Sequence, residues 1–100
     1  MFSYLIRVEL FGSANWLVYQ QLHEKLERLG YKRTIVSSDG LVYDLPTATY
    51  YKQSPLALAQ IVSEAKLAAS MVWANSSVLV SEGNNIRWQG LKRHSNRFSA

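Results

Sequence analysis

The nine residues SYLIRVELF, numbered 3–11, alternate between two chemical characters. Tyr4, Ile6, Val8 and Leu10 fall on one side of an extended chain, and Leu5, Arg7, Glu9 and Phe11 on the other. A period of two with one wholly apolar face predicts a strand with that face on a core. Arg7 and Glu9 then project from the opposite face.

Gly12 ends the strand. Ser13 or Asn15 can cap a helix that runs to Leu29, with Tyr19, Leu22, Leu26 and Leu29 as its buried stripe. Glu24 and Arg28 stand four apart in the favourable order, and Gly30 closes the helix. Residues 31–38 read as a second strand, ended by the turn signal Asp39-Gly40. Pro46 cannot donate to a central ladder, so we expect a long connection over 39–46 and a third strand over 47–52. Ser54-Pro55 starts a second helix, which continues to about Trp73 with Leu58, Ile61, Val62, Ala65, Ala69 and Val72 along one side. Residues 78–81 form the fourth strand. Gly83-Asn84-Asn85 turns the chain, leaving 86–89 as a short optional fifth strand.

The order β-α-β-β-α-β predicts an α+β, ferredoxin-like two-layer sandwich: a four-stranded antiparallel sheet with both helices on one face. Residues 1–90 make one domain, and 91–100 form a solvated basic tail. The other face of the sheet is left to solvent, to the tail or to a partner.

The 100-residue chain is 48% hydrophobic and 18% charged, with a formal net charge of +4. That is enough for one core and argues against disorder. It contains no cysteine, which excludes disulfides, thiolate nucleophiles and sulfur-ligated zinc. No membrane span is expected: the longest apolar-rich run is broken by Gln60, Ser63, Glu64 and Lys66. A cytoplasmic protein is the expectation. After Glu82 no acid follows, while Arg87, Lys92, Arg93, His94 and Arg97 do. An acid-free basic end attracts polyanions, of which nucleic acid is the commonest.

Four groups could carry function. His23 lies four residues from both Tyr19 and Glu27 and could move a proton; the plainer reading is a packed helix histidine. Arg7 could grip phosphate and Glu9 could act as a base, or the two form a charge pair on a wet sheet face. Lys32 and Arg33, close to Arg28, could join a strand tyrosine such as Tyr50 in a basic-aromatic surface that stacks bases. Tyr50 and Tyr51 cannot both face outwards. Arg87, Lys92 and Arg93 make the tail a polyanion contact, or merely a solvated end. Trp88 would close the core or mark a dimer edge. No second acid stands at a ligand spacing from Glu9, so neither a metal site nor a cofactor is expected.

Several positions carry a resemblance: Tyr4-Leu5-Ile6, Tyr19 and Leu22, Leu29-Gly30-Tyr31, Asp39-Gly40, Leu45 and Tyr50. Over most of residues 4–88 the chain resembles the GhoS family, small antitoxin endoribonucleases of type V toxin–antitoxin systems. More distantly it is similar to the small CRISPR-associated nuclease of the spacer-acquisition complex. The resemblance implies a single ferredoxin-like domain that cleaves or binds messenger RNA. Arg7, Arg28 and Arg33 would then hold phosphates, and His23 would shuttle the proton. Where the family has arginines on the first helix, this helix has Gln21 and His23. Glu9 falls near the metal-linked aspartate of the CRISPR-associated proteins. Two further readings stay open: a binding module without turnover, and a regulatory domain that self-associates as a homodimer through a sheet edge.

Overall fold

The structure is a computed structural model that describes residues 1–95; the expectations for 96–100, Arg97 among them, lie outside the described residues. Its elements run β1 (Phe2–Leu10), α1 (Trp16–Arg28), β2 (Thr34–Val36), β3 (Val42–Asp44), β4 (Thr49–Ser54), α2 (Leu58–Val72) and β5 (Ser76–Glu82). This is an α+β domain with two helices, a three-stranded antiparallel sheet ordered β4-β1-β5 and a two-stranded sheet β2-β3. Among the described residues no helix is long and apolar enough to cross a membrane.

The alternation in β1 is realised. Tyr4, Ile6, Val8 and Leu10 are buried under both helices, packed with Leu22, Leu26, Ile61, Ala65, Ala68, Ala69 and Tyr50. Asn15 caps α1, its Oδ1 accepting from Val18 N at 3.1 Å. Gly30 follows α1 in the left-handed region, at φ 91°, where a side chain would be strained. Leu29 caps the helix and stays partly exposed rather than joining the stripe.

Five expectations are corrected. Residues 39–46 are not one long connection. Asp39-Gly40 closes a hairpin in which Ile35 pairs with Tyr43, and Leu45 N extends it by donating to Arg33 O. Pro46 follows this ladder rather than sitting in it, so it is no obstacle. Second, α2 starts at Leu58. Ser54 ends β4 and turns the chain through its Oγ, which accepts from Leu56 N, while Gln60 Oε1 receives Ala57 N at the helix start. Third, residues 86–89 form no strand.

Fourth, the basic end is not a free tail over its described part. Asp44 N donates to Lys92 O and His94 N to Val42 O, both at 2.9 Å, so Arg93 lies opposite Tyr43. The chain therefore returns along the free edge of β3. The main sheet likewise has three full strands rather than four. The start of the hairpin touches β4 at one bridge, where Lys32 and Tyr51 exchange both backbone hydrogen bonds at 2.8 Å.

Candidate nucleic-acid interface

In an antiparallel pair, opposed residues share a face. The register Ile6↔Tyr50 therefore places Tyr50 in the core, and Leu5↔Tyr51 places Tyr51 on the outer face. Tyr50 is fully buried, so it is withdrawn as a base-stacking residue. Tyr51 takes that position. It lines a groove of about 920 Å³ between the outer sheet face, the β2-β3 hairpin and the crossing segment at 84–88. Lys32, Gln53, Arg87 and Trp88 line the same groove, and no lining residue is acidic. Trp88 is held by Tyr43, ring centroids 5.5 Å apart at 60°.

A second groove, of about 690 Å³, lies on the other side of Lys32 and is lined by Glu27, Arg33, Asp44, Leu45 and His94. Here His94 Nδ1 lies 2.8 Å from Asp44 Oδ1: with Arg93 opposite Tyr43, the two are diagonal neighbours across the antiparallel bridge. No other bond of the His94 ring is present among the described residues.

Among the described residues the ion pairs are Lys52–Glu64 and His94–Asp44. Lys32, Arg33, Arg87, Lys92 and Arg93 thus have no carboxylate partner among the described residues, and all five are exposed. Arg87 Nη1 donates to its neighbour's carbonyl, Ile86 O, at 3.1 Å. Unpaired cations beside an aromatic groove can contact phosphates while bases stack.

His23 sits in the opposite situation. It is 5% exposed, and its Nδ1 lies 2.6 Å from Tyr50 Oη. Burial, helped by the Arg33 charge, lowers its pKa to about 4, and burial raises that of Tyr50. The ring is neutral at pH 7, hydrogen-bonded to the Tyr50 hydroxyl, and it lines neither groove. His23 is therefore a structural group here, because its helix turns that face onto β4. Arg7 and Glu9 do project from the outer face, opposite Thr49 and Leu79 and opposite Ser77, but neither lines a groove. Arg28, exposed at the end of α1, lines neither as well.

Sequence reasoning missed a second buried polar group. Tyr31 Oη donates to Glu64 Oε1 at 2.7 Å, and Lys52 Nζ reaches the same oxygen at 3.1 Å, Leu29 O at 2.7 Å and the Tyr31 ring at 4.4 Å from its centroid. Burial pushes the Glu64 carboxyl up, but the two donors outweigh it and leave its pKa lowered. This cluster fastens the α1–β2 corner to α2. Its donors are spent on one another, so it offers no free group to a ligand.

Comparison with protein-family models, with curated proteins and with solved structures finds no match.

Proposed function

We propose that this chain binds single-stranded RNA across the groove between Tyr51 and Trp88, as a relative of the GhoS antitoxins. The observation that carries this reading is the groove's lining: two aromatic rings and two unpaired cations, Lys32 and Arg87, with no acid. Every base has a face to stack on an aromatic ring, and every nucleotide a phosphate for a cation, so such a lining suits a polymer that supplies both repeatedly. The architecture is read as ferredoxin-like, with β3 as an added hairpin strand. The Lys32–Tyr51 bridge supports that reading, since it sets the chain order β2-β4-β1-β5 expected of that fold.

Fluorescence anisotropy with a labelled single-stranded RNA at several salt concentrations tests the proposal. Affinity is expected to fall as salt rises, and Lys32→Glu with Arg87→Glu to weaken it at least tenfold. Trp88→Ala is expected to remove a stacking contribution on the order of 1–3 kcal/mol. Binding that is absent at low salt, or indifferent to all three changes, overturns the reading.

One pair favours a second, catalytic version. His94, oriented by Asp44, stands beside Lys32 and Arg33 in the second groove. An imidazole held by a carboxylate can take the proton of a ribose 2′-hydroxyl as its oxygen attacks the adjacent phosphorus. The 5′-oxygen then leaves with a proton taken from solvent water, and a 2′,3′-cyclic phosphate remains, while Lys32 and Arg33 offset the charge on the phosphoryl oxygens. RNA whose 2′-hydroxyls are replaced by hydrogen should bind uncut, and His94→Ala should bind RNA without cutting it. Cleavage that survives His94→Ala removes this version and leaves the binding proposal standing.

A further inference from the structure

The outer edge of β5 is open. Among the described residues β5 pairs with β1 alone. Its phase is set by the opposed pairs at either end: Gly83 N donates to Ser3 O, and Phe11 N donates to Asn75 O, both at 2.9 Å. Odd-numbered residues of β5 therefore turn their amides towards β1, and Val78, Val80 and Glu82 turn theirs outwards, while the Ser76 amide is taken by Ala74 O at 3.0 Å. Nothing in the strand's sequence protects that edge. SSVLVSE holds no proline and no lysine, and its one charge lies at its end. Leu79, at its centre, is 71% exposed on the outer sheet face.

The sequence of this edge is also its own complement. Residues 77–81, Ser-Val-Leu-Val-Ser, read the same in both directions. An antiparallel pair of two β5 strands centred on Leu79 sets Leu79 opposite Leu79, Val78 opposite Val80, and Ser77 opposite Ser81. The outward amides of Val78 and Val80 then exchange hydrogen bonds, and Leu79 occupies a close, non-hydrogen-bonded position. At the ends Glu82 comes opposite Ser76. Lys66 of α2 already stands there, its Nζ 2.7 Å from Ser76 O and 3.0 Å from Ser76 Oγ. Glu82 and Ser76 both lie on the helix-covered face, opposite the buried Tyr4 and Leu10. Each Glu82 would therefore meet the Lys66 ammonium of the other copy.

We infer that β5 is a homodimer edge: two copies join β5 to β5 in antiparallel register about Leu79, making one six-stranded sheet closed at each end of the seam by a Glu82–Lys66 ion pair. Matching phase, residue palindrome and charge complement select a second copy of this chain over an unrelated strand. The two-fold axis stands perpendicular to the sheet, so both outer faces point the same way. The inference does not depend on what the grooves bind.

Light scattering of the full chain over a range of concentrations should give twice the 11.4 kDa chain mass. Leu79→Lys sets like charges opposite each other at the seam and should give a folded monomer, since this side chain is solvent-exposed. Glu82→Lys should raise the dissociation constant at least tenfold, and adding Lys66→Glu should restore it. The absence of cysteine permits a register test. Non-hydrogen-bonded partners stand about 4.5 Å apart at Cα, within the roughly 4.4–6.8 Å a disulfide spans. Under mild oxidation Leu79→Cys should cross-link with itself. Ser77→Cys should cross-link only when mixed with Ser81→Cys. A wild-type chain that stays monomeric into the millimolar range, with no cross-link from Leu79→Cys, overturns the inference. So does a dimer that Leu79→Lys leaves intact.

Discussion

His23 and His94 stand in opposite surroundings, and the contrast divides the molecule. His23 lies under α1 against β4, dry, neutral and pinned to Tyr50. His94 lies beside the bridge that ties the chain's end to β3, half exposed, with Asp44 beside it and cations around it. In the helix-covered core, polar groups are few and matched: Tyr50 with His23, and Tyr31 and Lys52 with Glu64. Around the hairpin, cations outnumber acids and stay unmatched. A strongly shifted titration marks the first region, yet it records burial there. The second region holds the groups a ligand could still engage.

If the core is a single packed unit, Leu26→Ala should have the largest effect. Leu26 is fully buried, and the cavity should cost about 3 kcal/mol, read as a lower denaturant midpoint with an unchanged slope. A loss under 1 kcal/mol would show a core that collapses around the gap.

Acid should be the next largest perturbation, and it should act through the core histidine. The His23 pKa is about 4 in the fold, against about 6.5 when unfolded. Between those values the unfolded chain binds a proton that the native chain refuses. Stability is therefore complete above about pH 7 and falls as pH drops towards 4, by about 3 kcal/mol at most. His23→Gln, which keeps a partner for Tyr50, should flatten that part of the curve. An unchanged slope would mean that some other group governs acid sensitivity.

Removing residues 91–100 should separate the two regions. No named strand lies in the described part of that segment, so stability should fall by about 1 kcal/mol or less. The salt dependence of RNA binding should weaken, by up to about 2 in logarithmic slope for the loss of Lys92, Arg93 and Arg97. Cooperative unfolding on truncation would show instead that the returning strand belongs to the core.

Asp44→Asn is the finest probe. An exposed pair contributes roughly 0–1 kcal/mol, so stability should barely change. RNA cleavage should fall while RNA affinity holds. Equal loss of both would make Asp44 part of the binding surface rather than a positioning partner of His94.

Much of the core was legible residue by residue. The period of β1 assigned Tyr4, Ile6, Val8 and Leu10 inwards and Arg7 and Glu9 outwards, because adjacent side chains of a strand must diverge. Asn15, Gly30 and Asp39-Gly40 marked their turns through local backbone chemistry. Lys32, Arg33 and Arg87 were legible as candidate phosphate contacts, since charge is a property of the residue itself. β4 was not legible in the same way. Its outward face carries Thr49, Tyr51 and Gln53, and its inward face Tyr50, Lys52 and Ser54, two sets of similar polarity. The pleat turns Lys52 inwards, opposite Tyr4, and its charge is tolerated there because Glu64, on a different element, receives it.

The sequence by itself therefore determined α1 and the presence of α2, the inward face of β1, a turn at Asp39-Gly40 and the positive charge near the chain's end, but not the hairpin that this turn closes. Tertiary structure alone decided that Tyr51 rather than Tyr50 meets solvent, that His23 is buried, and that the chain at Arg93 bridges to Tyr43 of β3, 50 positions earlier. Periodicity and turn chemistry are written in neighbouring residues. Which distant edge a strand joins depends on loop closure and on the partners left unpaired when the core has formed.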